Sequence, residues 1–319
     1  MAEVISSAAN PLIKRVRLLA DRKHRRREGA FVVQGIQPVW QAVEAGADIE
    51  TLIVAPELLR PPAATAMVTR QEEQGTPVAR VSGALFARIA DRDGPAGLAA
   101  IVRARPGPLA GLTVSQGSLF VALHEVGNPG NLGTIIRTAS AAGAAGLILI
   151  GQTTDPYDPA AVKASMGAIF DVPVASAATE QEFLAWAAGH GVTVAAAAAR
   201  AERSCWDIDF PLPLAVLLGS EGAGLPAALL ERVGREGAGL HVRIPMAGTA
   251  ESLNLAVAAG ILLYEVRRRS GLPGDGTPSS AGPPAGPQVG PPLDLSSSSG
   301  KDQDVQEIPP GGTRGGSAG

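Results

Sequence analysis

Five side chains of this 319-residue chain are placed for chemistry: Asn131, Arg137, Glu221, Ser252 and Asn254. All of them fall within three glycine-bearing segments of the second half. These are Asn128-Pro-Gly-Asn-Leu-Gly-Thr-Ile-Ile-Arg-Thr-Ala139, Leu217-Leu-Gly-Ser-Glu-Gly-Ala-Gly-Leu225 and Ile244-Pro-Met-Ala-Gly-Thr-Ala-Glu-Ser-Leu-Asn254. Each follows an apolar run that reads as a strand, and a glycine turn at the carboxyl edge of a parallel sheet is a usual seat for a ligand. Glycine there lets the backbone approach that ligand closely. Amides, a carboxylate, a hydroxyl and a guanidinium around one pocket can grip a polar ligand and assist proton transfer. Gly127, Gly130 and Gly133 are spaced G-x-x-G-x-x-G, which is not the dinucleotide fingerprint, and no acidic residue marks the end of the next strand. Taken singly, Arg137 also fits an exposed helix cation, Glu221 a solvated carboxylate, and Ser252 or Asn254 a helix cap.

The elements that must position these groups are legible as periodicities. From residue 118 onward, Leu119–Leu123, Leu147–Ile150, Val192–Ala195, Leu214–Leu218 and Leu240–Ile244 are short, mostly apolar strands. Helical stretches intervene at 132–142, 159–168, 180–188 and 226–233, and a longer helix from Ser252 to Arg269 closes the domain. Such alternation predicts an α/β fold with a mainly parallel sheet covered on both faces. Arg137 is expected on the first turns of its helix. Residues 1–104 read as a smaller α/β domain, with strands at 30–33, 51–54, 78–81 and 98–102 and helices at 11–20, 35–46 and 63–74. Pro106-Gly-Pro108 breaks helix and sheet, so residues 105–117 are expected to be a linker. The stretch 271–319 holds 12 Gly and 9 Pro and is expected to be disordered, because it cannot bury enough apolar surface.

Charge points to a phosphate-rich partner. The formal net charge is −3. Five acids against two bases from Gly271 onward account for all of it, so residues 1–270 are neutral. Within that body residues 14–27 carry eight Lys or Arg, Arg25, Arg26 and Arg27 among them, against Asp21 alone. A local basic patch suits RNA or DNA; a solvated helix face followed by a charged loop is the plainer alternative. Cys205 is the single cysteine, so no internal disulfide or cysteine cage forms, and His24, His124, His190 and His241 lack metal-ligand spacing. Any enzyme here is expected to be metal-free. No run approaches the ~20 apolar residues of a membrane helix, and a cytoplasmic protein is expected.

The three segments together resemble the three motifs of the SpoU (TrmH-type) RNA ribose 2′-O-methyltransferases, a branch of the SPOUT superfamily. The resemblance spans roughly residues 5–269 and is strongest at 124–174 and 214–265. Asn10-Pro-Leu-Ile-Lys14 and Phe31-Val-Val-Gln-Gly35 resemble the ribosomal-protein-L30e-like substrate-binding domain of the ribosomal RNA members. The resemblance is to bacterial 23S rRNA enzymes, including those conferring thiostrepton or avilamycin resistance.

That resemblance implies a catalytic domain over residues 118–270 whose chain end is threaded as a trefoil knot. It implies S-adenosylmethionine as cofactor, met by Gly219, Ile244, Met246 and Leu253, largely through the backbone. It also implies a homodimer in which Arg137 of one chain serves the methyl donor held by the other. Family models make this arginine the base, but a guanidinium stays protonated (pKa above about 12). The safer role for Arg137 is to orient the ribose hydroxyl and its neighbouring phosphate, with proton relay as a further role. Asn131, Glu221, Ser252 and Asn254 would then hold Arg137, the ribose and the loops in place. Asp155-Pro-Tyr-Asp-Pro159 through Lys163-Ala-Ser-Met-Gly167 matches a family segment whose basic residue, usually arginine, contacts RNA; Lys163 keeps the charge without the bidentate fork. With aromatics at 3% of the chain, recognition by shape and phosphates is expected over base stacking. The implied substrate is 23S rRNA, with transfer RNA the alternative. A base methyltransferase would not need the Asn131/Arg137 pair, and a non-catalytic RNA binder would not need every motif residue.

Overall fold

The structure, a computed structural model, describes residues 4–90, 96–104, 107–235 and 239–271. The basic N-terminal stretch folds as two short helices, α1 (Pro11–Leu18) and α2 (Arg22–Glu28). Asn10 caps the first by accepting the Leu12 N–H at 2.9 Å, and Asp21 caps the second by accepting that of Lys23 at 2.8 Å. There is thus a second helix where a charged loop was the alternative reading. Strands β1 (Ala30–Gln34), β2 (Ile49–Val54), β3 (Val78–Arg80) and β4 (Leu98–Arg103) build a sheet of order β1-β4-β2-β3. It is mixed: β4 runs antiparallel to both β1 and β2, while β3 is parallel to β2. Helices α3 (Ile36–Glu44) and α4 (Pro62–Glu73) follow their strands, and α5 (Gly83–Ile89), capped by Ser82, is an element the sequence reading lacked.

A seven-stranded sheet carries the second half. Its strands are β5 (Gly107–Pro108), β6 (Leu119–His124), β7 (Gly146–Ile150), β8 (Val174–Ala177), β9 (Thr193–Ala197), β10 (Leu214–Leu218) and β11 (Leu240–Val242). Their order is β11-β9-β10-β6-β7-β8-β5, and every pairing is parallel. The central strands β6, β7 and β10 are buried at every position, as expected of apolar runs covered on both faces. Covering them are α6 (Pro129–Ala141), α7 (Pro159–Ser165), α8 (Glu180–Gly189), α9 (Ala227–Arg235) and α10 (Leu255–Ser270).

Three expectations need correction. Within the expected linker, residues 105–106 lie outside the described ones, and Gly107 and Pro108 pair with Ala175 and Ser176 as an edge strand, where a proline's missing N–H is tolerated. Strand β8 went unread because Val-Ala-Ser-Ala carries little apolar bulk. Helix α10 begins at Leu255 after an Asn254 cap, not at Ser252. The expected tail lies, from residue 272 on, outside the described residues.

The two sheets share one apolar core, in which Phe31 of β1 packs 4.5 Å from Tyr157 and 6.1 Å from Phe170 by ring centroids. Cys205 is buried, and that burial, followed by the Glu265 charge, raises its thiol pKa, so it packs as a small apolar group.

Candidate active site

Register brings two of the three segments together. Leu218 at the end of β10 lies beside Leu123 of β6, so the loops that follow leave the sheet at the same edge. Asn128-Pro129 then starts α6, with Asn128 Oδ1 accepting the Asn131 N–H at 3.1 Å and proline at the first helical position. Glu221 reaches across from the β10 loop to this helix start. Its Oε2 accepts the Gly127 N–H at 3.3 Å, and its Oε1 accepts the Asn128 N–H at 3.2 Å and the Asn131 Nδ2–H at 3.0 Å. A carboxylate at the amino end of α6 is also favoured by the helix dipole.

The third segment joins through Asn254, whose Nδ2 donates to Asn131 Oδ1 at 3.1 Å. Its Oδ1 accepts the Ala256 N–H at 2.9 Å and the Val257 N–H at 3.3 Å, capping α10. The donor order is forced. An ionised Glu221 only accepts, so Asn131 must turn its NH₂ there and its oxygen to Asn254, whose own oxygen is left for the helix. Asn254 is therefore a cap and a bridge at once. Burial pushes the Glu221 carboxyl up, but the Asn131 amide and the backbone donors outweigh it and hold the group below its usual value.

Glycines set the geometry around this chain of bonds. A Cβ on Gly133 would collide with the Ala161 carbonyl and lie 2.7 Å from Ala164 Cβ, so α6 sits against α7 at a distance only glycine allows. A Cβ on Gly219 would collide with the backbone of Gly224 and Leu225, where the loop closes on itself. Gly219 is buried, Ile244 and Leu253 are half-buried, and Met246 is exposed. A Cβ on Gly127, Gly222 or Gly248 would meet nothing within 4 Å. Bare loop backbone beside partly exposed apolar side chains fits an amphipathic ligand such as S-adenosylmethionine, which needs peptide hydrogen bonds and apolar contact together.

The remaining expected residues are not drawn into the hydrogen-bonded chain. Arg137 lies in the third turn of α6, because the helix begins at Pro129 and not at 132. It is exposed, and among the described residues it makes no hydrogen bond or ion pair. Ser252 is exposed and likewise makes no side-chain hydrogen bond among them. Lys163 is exposed in the last turn of α7.

Arg25 corrects the basic-patch reading. Only 3% exposed, it pairs with Asp155 at 2.8 Å and Asp158 at 3.5 Å and donates to the carbonyls of Leu19 and Ala20. It clamps α2 to the start of α7 and has no group left for RNA phosphate. Arg26 and Arg27 are exposed, Arg27 pairing with Glu28 at 3.3 Å. Sequence reasoning also passed over His124, the last residue of β6. It is 5% exposed, and its Nε2 lies 2.8 Å from Glu180 Oε1. Glu125 follows it with φ 51°, a left-handed turn into the first loop. Among the described residues, no cluster of His, Cys, Asp and Glu could hold a metal ion.

Known proteins match this arrangement. The SpoU rRNA Methylase family profile covers residues 118–264, which contain all three segments, and an MRM3-like substrate binding domain profile covers 10–100. The 23S rRNA (uridine(2479)-2'-O)-methyltransferase of Streptomyces viridochromogenes is 34% identical over 266 residues, 79% of this chain and 87% of that protein. The chain belongs to the SpoU RNA methylase family. Another SpoU relative, the 23S rRNA (guanosine(2553)-2'-O)-methyltransferase RlmP of Bacillus subtilis, is 30% identical over 82% of this chain and 98% of that one. The crystal structure of an AdoMet-bound rRNA methyltransferase from Sinorhizobium meliloti matches with a TM-score of 0.75 and 38% identity, covering 83% and 97% of the two chains. In this SpoU protein, then, the residues joined by Glu221 lie inside the region that the family profile matches, and the parallel sheet is an α/β fold shared with the solved SpoU neighbours.

Proposed function

We propose that this SpoU protein is an S-adenosylmethionine-dependent RNA methyltransferase acting on a ribose 2′-hydroxyl of 23S rRNA. The observation that carries the reading is the continuous bond chain Glu221–Asn131–Asn254, which ties all three motif loops into one site. The cofactor supplies a methyl group on a sulfonium. Gly219, Ile244, Met246 and Leu253 hold it through loop backbone and apolar contact. Asn131 and Asn254 fix the loops, and Glu221 fixes Asn131. Arg137, projecting from the same helix as Asn131, orients the ribose hydroxyl and its phosphate and relays the proton. Ser252, exposed near the end of the third segment, helps to hold the ribose and the loop in place. Lys163, Arg26 and Arg27 contribute phosphate contacts.

The protein acts as a homodimer in this reading. Val257 and Tyr264, 52% and 47% exposed, lie on one stripe of α10 beside a groove lined by Thr134, Thr138 and Gly260 of α6 and α10. That stripe offers an apolar face to a second copy, which would bring its own Arg137 to this site. The trefoil threading belongs to the same reading: β11 ends at the sheet edge and α10 returns to pack on α6 and β10. The cytoplasm is the place for such an enzyme, and among the described residues no helix is long and apolar enough to cross a membrane.

The test is transfer of labelled methyl groups from S-adenosylmethionine to large-subunit ribosomal RNA. An alkali-resistant dinucleotide carrying the label is expected, because a capped 2′-oxygen cannot cleave the backbone. Label on a base, with the backbone still alkali-labile, refutes the ribose assignment, and labelling of transfer RNA alone refutes the ribosomal one.

A further inference from the structure

Glu125 stands where a side chain is disfavoured. It links β6 to the first motif loop, and its φ of 51° is left-handed, a backbone state in which a Cβ crowds the following carbonyl. Both neighbours hold it there. His124 is buried and lies 2.8 Å from Glu180, and Val126 is fully buried, its carbonyl accepting the Thr154 N–H at 2.8 Å. The Glu125 N–H itself donates to the Ile150 carbonyl at 3.1 Å. None of these contacts uses the Glu125 carboxylate. It is exposed, and among the described residues it makes no hydrogen bond or ion pair. A disfavoured backbone state that its surroundings enforce, carrying an idle functional group, marks a functional position.

Sheet order decides which way this carboxylate leans. A Cβ on Gly151 would stand 3.5 Å from Glu125 Oε1, so the side chain lies over the start of the loop after β7. The residues assigned to the cofactor, Gly219 and Ile244, follow β10 and β11, on the opposite side of β6. The carboxylate thus leans away from the methyl donor. On its own side it meets the N-terminal half. Arg22, exposed and without an ion pair among the described residues, donates to the Thr153 carbonyl of that same loop at 3.2 Å. An acid and a cation therefore border one loop.

Beside an RNA strand this pair divides the work. Arg22 suits a phosphate, which a carboxylate repels. An ionised carboxylate only accepts hydrogen bonds, through two oxygens that can take a pair of parallel N–H groups. Among the RNA bases, only guanine offers two adjacent donors, N1–H and N2–H, on its Watson–Crick edge. Adenine and cytosine set one amino group beside a ring acceptor, and uracil sets its N–H between two carbonyls. That edge is free only in an unpaired nucleotide, the form in which RNA bases are read.

We propose that Glu125 selects an unpaired guanosine in the RNA segment presented for methylation, with Arg22 on a neighbouring phosphate. This rests on the RNA methyltransferase reading and names a base that the substrate must carry close to its target ribose.

The test compares the full chain with Glu125→Gln, Glu125→Gly and Arg22→Ala, titrated by fluorescence anisotropy against RNA hairpins. The hairpins share a stem and a uridine loop whose central position holds guanine, inosine, adenine, cytosine or uracil. The wild-type protein should bind the guanine loop about tenfold more tightly than the adenine, cytosine or uracil loop. Inosine, which lacks the N2 amino group, should fall in between. Both Glu125 variants should erase that preference. Glycine takes a left-handed φ without steric cost, so Glu125→Gly should melt no lower than wild type, which separates lost recognition from lost folding. Arg22→Ala should weaken every loop alike and flatten the log–log salt slope by about 0.7; an unchanged slope refutes the phosphate contact. Wild-type binding of all the loops equally, or of none, overturns the proposal, as does guanine preference retained in both Glu125 variants. Weaker S-adenosylmethionine binding by Glu125→Gln with guanine preference intact overturns it too, and assigns the carboxylate to the cofactor's ammonium. Affinity is read without turnover, so a wild-type protein that prefers guanine yet transfers no methyl group would refute the enzyme reading alone.

Discussion

Gly133→Ala isolates the packing on which the site depends. In a helix interior alanine is ordinarily better than glycine by about 1 kcal/mol, so propensity alone predicts a more stable protein. The structure predicts the reverse. The added methyl would collide with the Ala161 carbonyl and stand 2.7 Å from Ala164 Cβ and 3.0 Å from the Ala161 carbonyl carbon. Carbon atoms pack at about 3.5–4 Å, so α6 and α7 must separate by roughly 1 Å. Overpacking of this kind costs about 1–3 kcal/mol. For a chain of this size each kcal/mol moves Tm by about 2–4 °C, so the net fall after the propensity gain is a few degrees. The larger effect is on function: a displacement near 1 Å costs on the order of 10²-fold in rate, and Asn131 and Arg137 ride on the displaced helix. Differential scanning calorimetry and single-turnover methyl transfer measure the two effects. Adding Ala164→Gly should restore part of both, because it removes one of the two obstructions. A Gly133→Ala protein with raised Tm and full activity would refute the claim that contact between α6 and α7 positions the site.

Other perturbations separate the roles assigned above. Arg137→Ala should abolish turnover while leaving S-adenosylmethionine affinity nearly intact, since the side chain is exposed and outside the hydrogen-bonded chain; calorimetric titration beside a methylation assay reads both, and equal loss would make Arg137 structural. The Glu221 carboxyl has a folded pKa below its ordinary 4.5, so its contribution is fully present above that value and is lost as pH falls through the lower folded one. Cofactor affinity measured over roughly pH 3 to 7 should drop at the acid end, and Glu221→Gln should be weak throughout with a flatter profile; an unchanged profile in the variant assigns the pH effect elsewhere. Arg25→Ala should lower stability by about 3–5 kcal/mol, because it leaves Asp155 buried without its partner. Arg26→Ala and Arg27→Ala should leave stability unchanged but weaken RNA binding, and equal denaturation midpoints for all three would contradict the buried assignment.

Much of the second half was legible because its strands are unbroken apolar runs and its motif residues sit in the turns between them. Read from sequence, the helix after Asn128-Pro129 starts at 132, three residues late, while Glu221, Asn131 and Asn254 converge as the order of the segments implied. What stayed hidden depends on partners far along the chain. Arg25 looks no different from Arg26 and Arg27 in sequence; its burial is set by Asp155 and Asp158, about 130 residues away, and by a helical turn that faces it inward. Strand β8 is held by its neighbours β7 and β5 more than by its own small residues. Pro106 lies outside the described residues, and the two residues after it find an edge to pair with. The shared core around Phe31 and Tyr157 could not be read from either half separately.

The two ends of α6 are held by a single later element. Asn254, at the start of α10, bonds Asn131 near the amino end, and Arg267, near the finish of α10, donates from Nε to the Ala142 carbonyl at 2.7 Å at the carboxyl end. Helix α10 is among the last parts of the fold to be synthesised, 123 residues after the asparagine it steadies. A nascent chain that has made Asn131 and Glu221 but not yet this helix holds the right side chains without their brace, so competence arrives only once translation of the domain is complete.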